Sequence, residues 1–217
     1  MHTSTFTSTS LLNLTHFVVG ALLCLTAFSG HAAPTPAAPS GLQKATFAGG
    51  CFWCMEPPFE SKAGVISVTS GYLGGPSADP TYAEVSSGAS GHAEAVEIVF
   101  DPAKISYAQL LEIFWPNIDP TVSNRQFCDV GDQYRSAIFV HDPEQRLIAE
   151  NSKRRLLKSP RFAGKTLYTD VLPAAPFYAA EEYHQDYAAK NAKRYSFYRW
   201  NCGRDARLKE VWGEAAH

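Results

Sequence analysis

Two sulfurs and one acid stand out as groups able to do chemistry. Cys51 and Cys54 frame an aromatic pair in GGCFWC, residues 49–54. Glycine tolerates positive φ and close backbone approach. A helix opening just after Cys51 would stabilise an anion, so the pattern predicts a thiol with a pKa below the free value of about 8.5. Pro57 and Pro58 fit only a first helical turn, so that helix starts late and its dipole reaches Cys51 weakly. Phe52 and Trp53 are adjacent and do not share a helical face. Core packing claims one ring, and the other borders the sulfur. An aromatic wall beside a nucleophile suits a methyl or thioether group.

The acid is Glu94. HAEAVEIVF alternates as a strand does, which puts Glu94 on one face with Val96, Ile98 and Phe100. If that face is buried, desolvation raises the carboxyl pKa and keeps it a proton donor. At a wet strand mouth it is an ordinary carboxylate, and alternation alone does not choose between the two.

CFWC also has competing readings. Zinc takes about four ligands, and one CxxC without a second pair is poor support for it. A thioredoxin-type motif would place CxxC at a helix start, but the double proline fits it awkwardly. Cys51, Cys54, Cys128 and Cys202 form an even set, which in an oxidising compartment suggests two structural disulfides. That reading stays open for any pair excluding Cys51.

These residues need elements to position them. KATFAG reads as a strand entering the glycine turn, and VISVTSGY and RSAIFVHD as further strands. Between VISVTSGY and HAEAVEIVF only a short turn fits, around Tyr82. In ISYAQLLEIFW, Ser106 and Gln109 form a capping box, Ile105 and Leu110 a hydrophobic staple, and Pro116 a stop. Asp142 caps the next helix, with Pro143 at its first position. TLYTDVL predicts another strand and FYAAEEYHQDYAAKN a last long helix. The order β-α-β-β-α-β predicts an α+β fold: a ferredoxin-like split βαβ two-layer sandwich, with a mixed, mostly antiparallel sheet and extra C-terminal helices.

The chain of 217 residues suits one domain plus appendages. With 45% hydrophobic and 12% aromatic residues it builds a core without a metal or disulfide staple. A formal net charge of −2 and no basic stripe argue against nucleic acid. LLNLTHFVVGALLCLTAF followed by SGHAAPTPAAPS matches a secretory signal peptide, although its n-region carries no Lys or Arg. The domains expected are a leader over 1–32, a Pro/Ala-rich tether over 33–43 and a catalytic domain over 44–217. The protein is then periplasmic or secreted, with no stable membrane insertion after cleavage. The alternative is a signal-anchored protein with its catalytic domain outside the cytoplasm.

The motifs GGCFWCMEPPFE, SGYLGG, TYAEVSSGASGHAEAVEIVFDP, DPTVSNRQFCDVGDQYRSAIF and EEYHQDY stand in this order, and together they resemble the type A peptide methionine sulfoxide reductases over nearly all of 44–213. The resemblance implies the following. Cys51 is the nucleophile that attacks the sulfoxide sulfur, and Phe52 and Trp53 hold the substrate methyl. Glu94 protonates the sulfoxide oxygen, Tyr82 and Tyr134 hydrogen-bond it, and Asp129 organises the polar contacts nearby. The substrate is the S epimer of methionine sulfoxide, free or in proteins, with no metal or bound cofactor. Cys51 becomes a sulfenic acid, a second thiol condenses with it, and thioredoxin or a thioredoxin-like dithiol resets the enzyme.

The chain departs from the common pattern at two positions. Cys54 replaces a small residue found in many relatives, and Cys128 precedes Asp129 where many carry no thiol. The favoured resolving cysteine is Cys202, because the family often resolves from a glycine-containing C-terminal segment. Cys54 is second and Cys128 third. His184 reads as a structural hydrogen-bonding residue, Tyr183 and Tyr187 as a helical face against the core, and His92 as a support for the turn presenting Glu94. Two competing functions remain, a general thiol–disulfide exchanger using Cys51 and Cys54, and a disulfide-stapled secreted binding domain.

Overall fold

A computed structural model describes residues 41–213. The leader expected over 1–32 and most of the tether lie outside the described residues, and Gln43, the last tether position, already belongs to a strand. Among the described residues no helix is long and apolar enough to cross a membrane.

β1 (Gln43–Gly49), α1 (Pro57–Glu60), β2 (Val65–Leu73), α2 (Tyr82–Ser86), β3 (Ala93–Phe100) and α3 (Tyr107–Phe114) build the first half. There follow β4 (Arg125–Gln126), β5 (Asp129–Val130), β6 (Ser136–Val140), α4 (Pro143–Lys158), β7 (Asp170–Pro173) and β8 (Tyr178–Ala179), and then α5 (Tyr187–Lys190), α6 (Ala192–Asn201) and α7 (Arg204–Trp212). Six strands form one mixed sheet in the order β7-β6-β1-β3-β2-β8, in which only β6 and β7 pair in parallel. β4 and β5 form a separate hairpin. The architecture is α+β.

Alternation decides which sheet face meets the helices. Ala45, Phe47, Val96, Ile98 and Phe100 are buried in one cluster with Leu110, Leu111 and Phe114 of α3 and Ala149 of α4. Phe47 stacks between Phe114, 4.9 Å away, and Phe59, 5.7 Å away. The opposite face carries mostly small residues, Ala48, Ala93, Ala95 and Ala137 with Leu73 and Phe139, covered by Leu172 and Phe177. α3 starts in a capping box of Ser106 and Gln109, and Asp142 accepts from Gln145 N at the start of α4.

The chain after residue 165 differs from the expectation. Of the predicted strand only residues 170–172 pair, extended by Pro173, because the segment before them bonds elsewhere, with Tyr168 N donating to Pro120 O. The long helix expected over 177–191 is absent. Tyr178 and Ala179 add a short strand beside β2, a 3-10 turn spans Glu182–His184, and Asp186 takes a left-handed φ of 52° before α5. Tertiary bonds override helix propensity here. The Gln185 side chain brackets the Ser70 backbone, accepting from its N–H and donating to its C=O, while Glu56 accepts the N–H groups of Asp186 and Tyr187.

Candidate active site

β1 delivers the nucleophile. Gly50 has φ +84°, and a Cβ there would lie 2.5 Å from the Gln126 side chain. One on Gly49 would meet Ile118 and Met55 at 2.7 Å. Glycine is therefore required at both positions, and Cys51 emerges at the end of a central strand into a 3-10 turn over Phe52–Cys54. Both thiols are buried, Cys51 at 7% exposure and Cys54 at 1%, and the protonation of each acts on the other.

That pairing corrects the sequence-based expectation of a depressed Cys51 pKa. Burial pushes the Cys51 thiol up, and the neighbouring Cys54 adds to it. Cys51 in turn draws Cys54 down, and the Arg204 and Arg199 guanidiniums favour negative charge there despite its burial. The helix dipole expected to help Cys51 is missing from the first turn, since α1 begins only at Pro57.

Glu94 comes from the middle of the sheet. The β1–β3 register runs to Phe47 opposite Val96, so two residues further along each strand stand Gly49 and Glu94. On its other side Glu94 faces Tyr72 of β2. The carboxyl is 1% exposed in a buried row with Val96, Ile98 and Phe100, and accepts a hydrogen bond from Phe52 N at 3.1 Å. Desolvation raises its pKa to about 8, against the lowering effect of that bond. Of the two sequence readings, the buried face is the one observed.

Three further groups converge from loops. Tyr134 ends the 3-10 turn Asp132–Tyr134. Ser136 pairs with Gly49, so Tyr134, two residues earlier, approaches Cys51, two residues later. Tyr82 opens α2, whose first N–H is held by Glu181. Desolvation raises both phenols, Tyr82 to about 12, with the charges of Glu94 and Cys51 adding in each case. Asp129 lies on β5, whose hairpin docks on Gly50 through Gln126. The Gln126 amide bonds both the N–H and C=O of Asp119. Burial raises Asp129, opposed by a short hydrogen bond from Tyr198 Oη and by Arg204. His92 fastens the loop beside this group, accepting from Gly75 N and donating to Ser77 O.

The aromatic wall is built in two layers. Phe52 is buried and Trp53 half-buried. The Trp53 indole stacks on Tyr187 at 3.7 Å and 7°, and its Nε1 donates to His184 Nδ1 at 3.0 Å. That bond fixes the His184 tautomer with its proton on Nε2, which has no hydrogen-bond partner among the described residues and lies 4.0 Å from Glu181 Oε2. His184 and Tyr187 thus hold the wall, so Tyr187 does more than pack against the core.

Tyr198 was not singled out from the sequence, yet its hydroxyl donates to Asp129, and burial together with the Cys51 charge raises its pKa. Its signal was available: it precedes Cys202 by four residues, one helical turn.

Cys202 is joined to Cys128 by a disulfide, so in this structure its sulfur is not offered to Cys51. Asp129 stands between, its Oδ2 4.0 Å from Cys202 Sγ and bonded to Tyr198. Cys128 is exposed. Cys128, Asp129 and Cys202 also have ligand spacing for a metal, but the two sulfurs are bonded to each other.

Similarity to known proteins follows this arrangement. The family model for peptide methionine sulfoxide reductase matches residues 43–216. A peptide methionine sulfoxide reductase MsrA from Bacillus licheniformis is 53% identical over 78% of this chain and 93% of its own length. MsrA 2 of Caulobacter vibrioides is 52% identical over 85% and 92%. Among solved structures, reduced Mxr1 of Saccharomyces cerevisiae superposes with a TM-score of 0.66 at 31% identity, covering 71% of this chain and 88% of that one. Methionine sulfoxide reductase A of Corynebacterium diphtheriae gives 0.63 at 32%, covering 71% and 77%.

Proposed function

This chain belongs to the peptide methionine sulfoxide reductase family, and from that premise we propose that it reduces the S epimer of methionine sulfoxide, in proteins or free, to methionine. The observation that carries the reading is Glu94, a buried carboxyl whose pKa of about 8 keeps it protonated at neutral pH, beside the Cys51 turn. A sulfoxide oxygen leaves poorly until it is protonated, so a neutral acid next to a sulfur nucleophile is the required pair. Tyr82 and Tyr134, kept neutral by desolvation, donate hydrogen bonds to the same oxygen. Phe52 and Trp53 receive the methyl group, and Asp129 orders the polar side of the niche.

Cys51 attacks the sulfoxide sulfur. The oxygen passes to Cys51 as a sulfenic acid while methionine departs with the electron pair. Sulfur in the substrate is reduced by two electrons and Cys51 is oxidised by two. A second thiol then attacks the sulfenic sulfur, forming a disulfide and releasing water. Cys54 ends the same 3-10 turn that Cys51 opens, and each thiol shifts the other's protonation, so we assign it the first disulfide. Once Cys128–Cys202 is reduced, Cys202 becomes the competing resolver that the family resemblance favours. An external dithiol of the thioredoxin class restores the thiols.

The four central strands, in the order β6-β1-β3-β2, are read as a split βαβ unit, and the protein as exported behind a cleaved leader over residues 1–32. Cell fractionation with the mass of the mature N-terminus tests the export.

The catalytic reading is tested with a racemic methyl sulfoxide and dithiothreitol, followed by mass spectrometry after one turnover without reductant. Consumption of only the S epimer and a Cys51–Cys54 linkage support it. Equal use of both epimers, or full turnover by Cys51→Ser, overturns it. Cleavage of insulin-type disulfides, indifferent to Glu94→Gln, would instead favour a general thiol–disulfide exchanger.

A further inference from the structure

Four exposed aromatic side chains are found among the described residues, Tyr168, Tyr183, Phe197 and Trp200. Phe197 lines a groove together with Trp53, Trp200 packs beside Phe197, and Tyr183 lies against a support of Trp53. Tyr183 packs on His184, 4.1 Å between ring centroids, and His184 holds the Trp53 indole. Phe197 and Trp200, 64% and 73% exposed, lie one turn apart on α6 with their rings 6.0 Å apart. Exposed apolar side chains that stand together, rather than singly, mark a surface that meets a partner.

Between α6 and the wall runs a groove of about 270 Å³, lined by Trp53, Tyr187, Arg194, Phe197, Tyr198 and Asn201. Trp53 and Tyr198 also belong to the Cys51 niche, Trp53 as its wall and Tyr198 through its edge contact with Trp53 and its bond to Asp129. The groove and the niche are therefore neighbours that share two side chains.

The cavity on the disulfide side differs in chemistry. It is lined by Cys202 with Asp119, Arg125, Arg207, Phe127 and Val122, three of the six charged. A dithiol that attacks the exposed Cys128 or Cys202 approaches over that ionic side. The aromatic groove lies instead against Trp53, the residue read as the substrate wall.

We propose that the groove and the Phe197–Trp200 ridge bind an apolar side chain one or two residues from the oxidised methionine, so that a sulfoxide with apolar neighbours is a better substrate than one with Ser and Gly neighbours. The chemistry of the client argues for this occupant. Methionine is mostly buried in folded proteins. Its sulfoxide is polar and disrupts the core around it, so the segments it exposes carry apolar neighbours. In an extended chain, side chains two positions apart point the same way, about 6.6–7 Å apart. Because Trp53 borders both the niche and the groove, a neighbouring side chain of the same extended segment has the groove within reach. This proposal rests on the reductase reading and deepens it.

Three sulfoxide substrates test it with dithiothreitol as reductant: N-acetyl methionine sulfoxide amide, a heptapeptide flanking the sulfoxide with Leu and Phe, and one flanking it with Ser and Gly. In the double variant Phe197→Ser/Trp200→Ser, the ratio of kcat/KM for the apolar peptide to that for the amide falls about tenfold. The ratio for the Ser/Gly peptide holds. Tyr168→Ser, an exposed aromatic outside the groove, changes neither ratio.

A uniform change across all three substrates overturns the proposal, as does no change at all. A loss seen only when a thioredoxin replaces dithiothreitol, equal for every sulfoxide, gives the ridge to the reductant and also overturns it. Binding of the unoxidised Leu/Phe peptide, followed by calorimetry on the unaltered and double-variant proteins, is read independently of turnover. Should the unaltered protein turn over no sulfoxide, the reductase reading fails by itself. Peptide binding that weakens in the double variant would still uphold the groove, and no such weakening would sink it.

Discussion

The site has two halves of different construction. One hangs on the sheet: Cys51 leaves β1, and Glu94 sits on β3 between β1 and β2, placed by strand register and 1% exposed. The other hangs on short, irregular pieces: Asp129 on a two-residue strand, Tyr134 on a 3-10 turn, and the supports of Trp53 on a 3-10 turn and on helices α5 and α6. α6 has no buried residue. The sheet half brings together the groups that exchange the oxygen and its proton. The peripheral half holds the substrate wall and the second pair of sulfurs. Groups whose protonation must be tuned are set where backbone registers are rigid and water is excluded. Groups that meet a varied client or a reductant are set where the backbone is held by few side chains.

If this division is right, substitutions should hurt in that order. Cys51→Ser should abolish turnover, measured as methionine released in the presence of dithiothreitol. Glu94→Gln should lower kcat on the order of 10²–10⁴-fold, the usual contribution of a general acid. The sign of its pH effect follows from the raised pKa. Below about 8 the carboxyl is protonated and competent, so the unaltered rate should fall as pH rises through about 8, and the Gln variant should lose that alkaline limb. A limb that persists unchanged in Glu94→Gln would move the acid elsewhere.

The peripheral half should show itself in stability and binding. Cys128 and Cys202 close a loop with a sequence separation of 74 residues. Removing that link with Cys202→Ser should cost about 2–4 kcal/mol in denaturant unfolding, while one methionine per protein is still released and a Cys51–Cys54 bond still forms. If that bond fails to form in Cys202→Ser, the resolving role returns to Cys202. Tyr187→Leu removes the ring under Trp53 and should lower kcat/KM about 2–10-fold, mostly through KM, in line with an aromatic pair's worth of about 0.5–1.5 kcal/mol. A loss at Tyr187 equal to that at Glu94 would erase the distinction between the halves.

The same division governs what could be read from the sequence. Period-two alternation located β3 and put Glu94 in an apolar row, and the cap residues Ser106 and Asp142 marked helix starts that the structure keeps. These are local signals with local causes. The C-terminal third yielded less because its conformation answers to distant partners. YAAEEYHQDYAAKN has good helix formers throughout, but the Ser70 backbone on β2 engages its Gln185 side chain, and Glu56 at the α1 entry accepts its Asp186 and Tyr187 N–H groups, which breaks the helix. No propensity of the segment itself announces this. The Cys51 thiol was misjudged for a related reason: its surroundings include Cys54, which sequence shows, and burial on all sides, which it does not.

The sheet's borders have a consequence of their own. At one rim β8 offers only Tyr178 and Ala179, and at the other β7 runs for four residues and ends in Pro173, which has no amide hydrogen to give. Loose, extended polypeptides tend to zip onto long open margins and stay there. Margins this short deny such a visitor a ladder of backbone bonds, so whatever it grips must be side chain, and it can let go once its sulfur is mended.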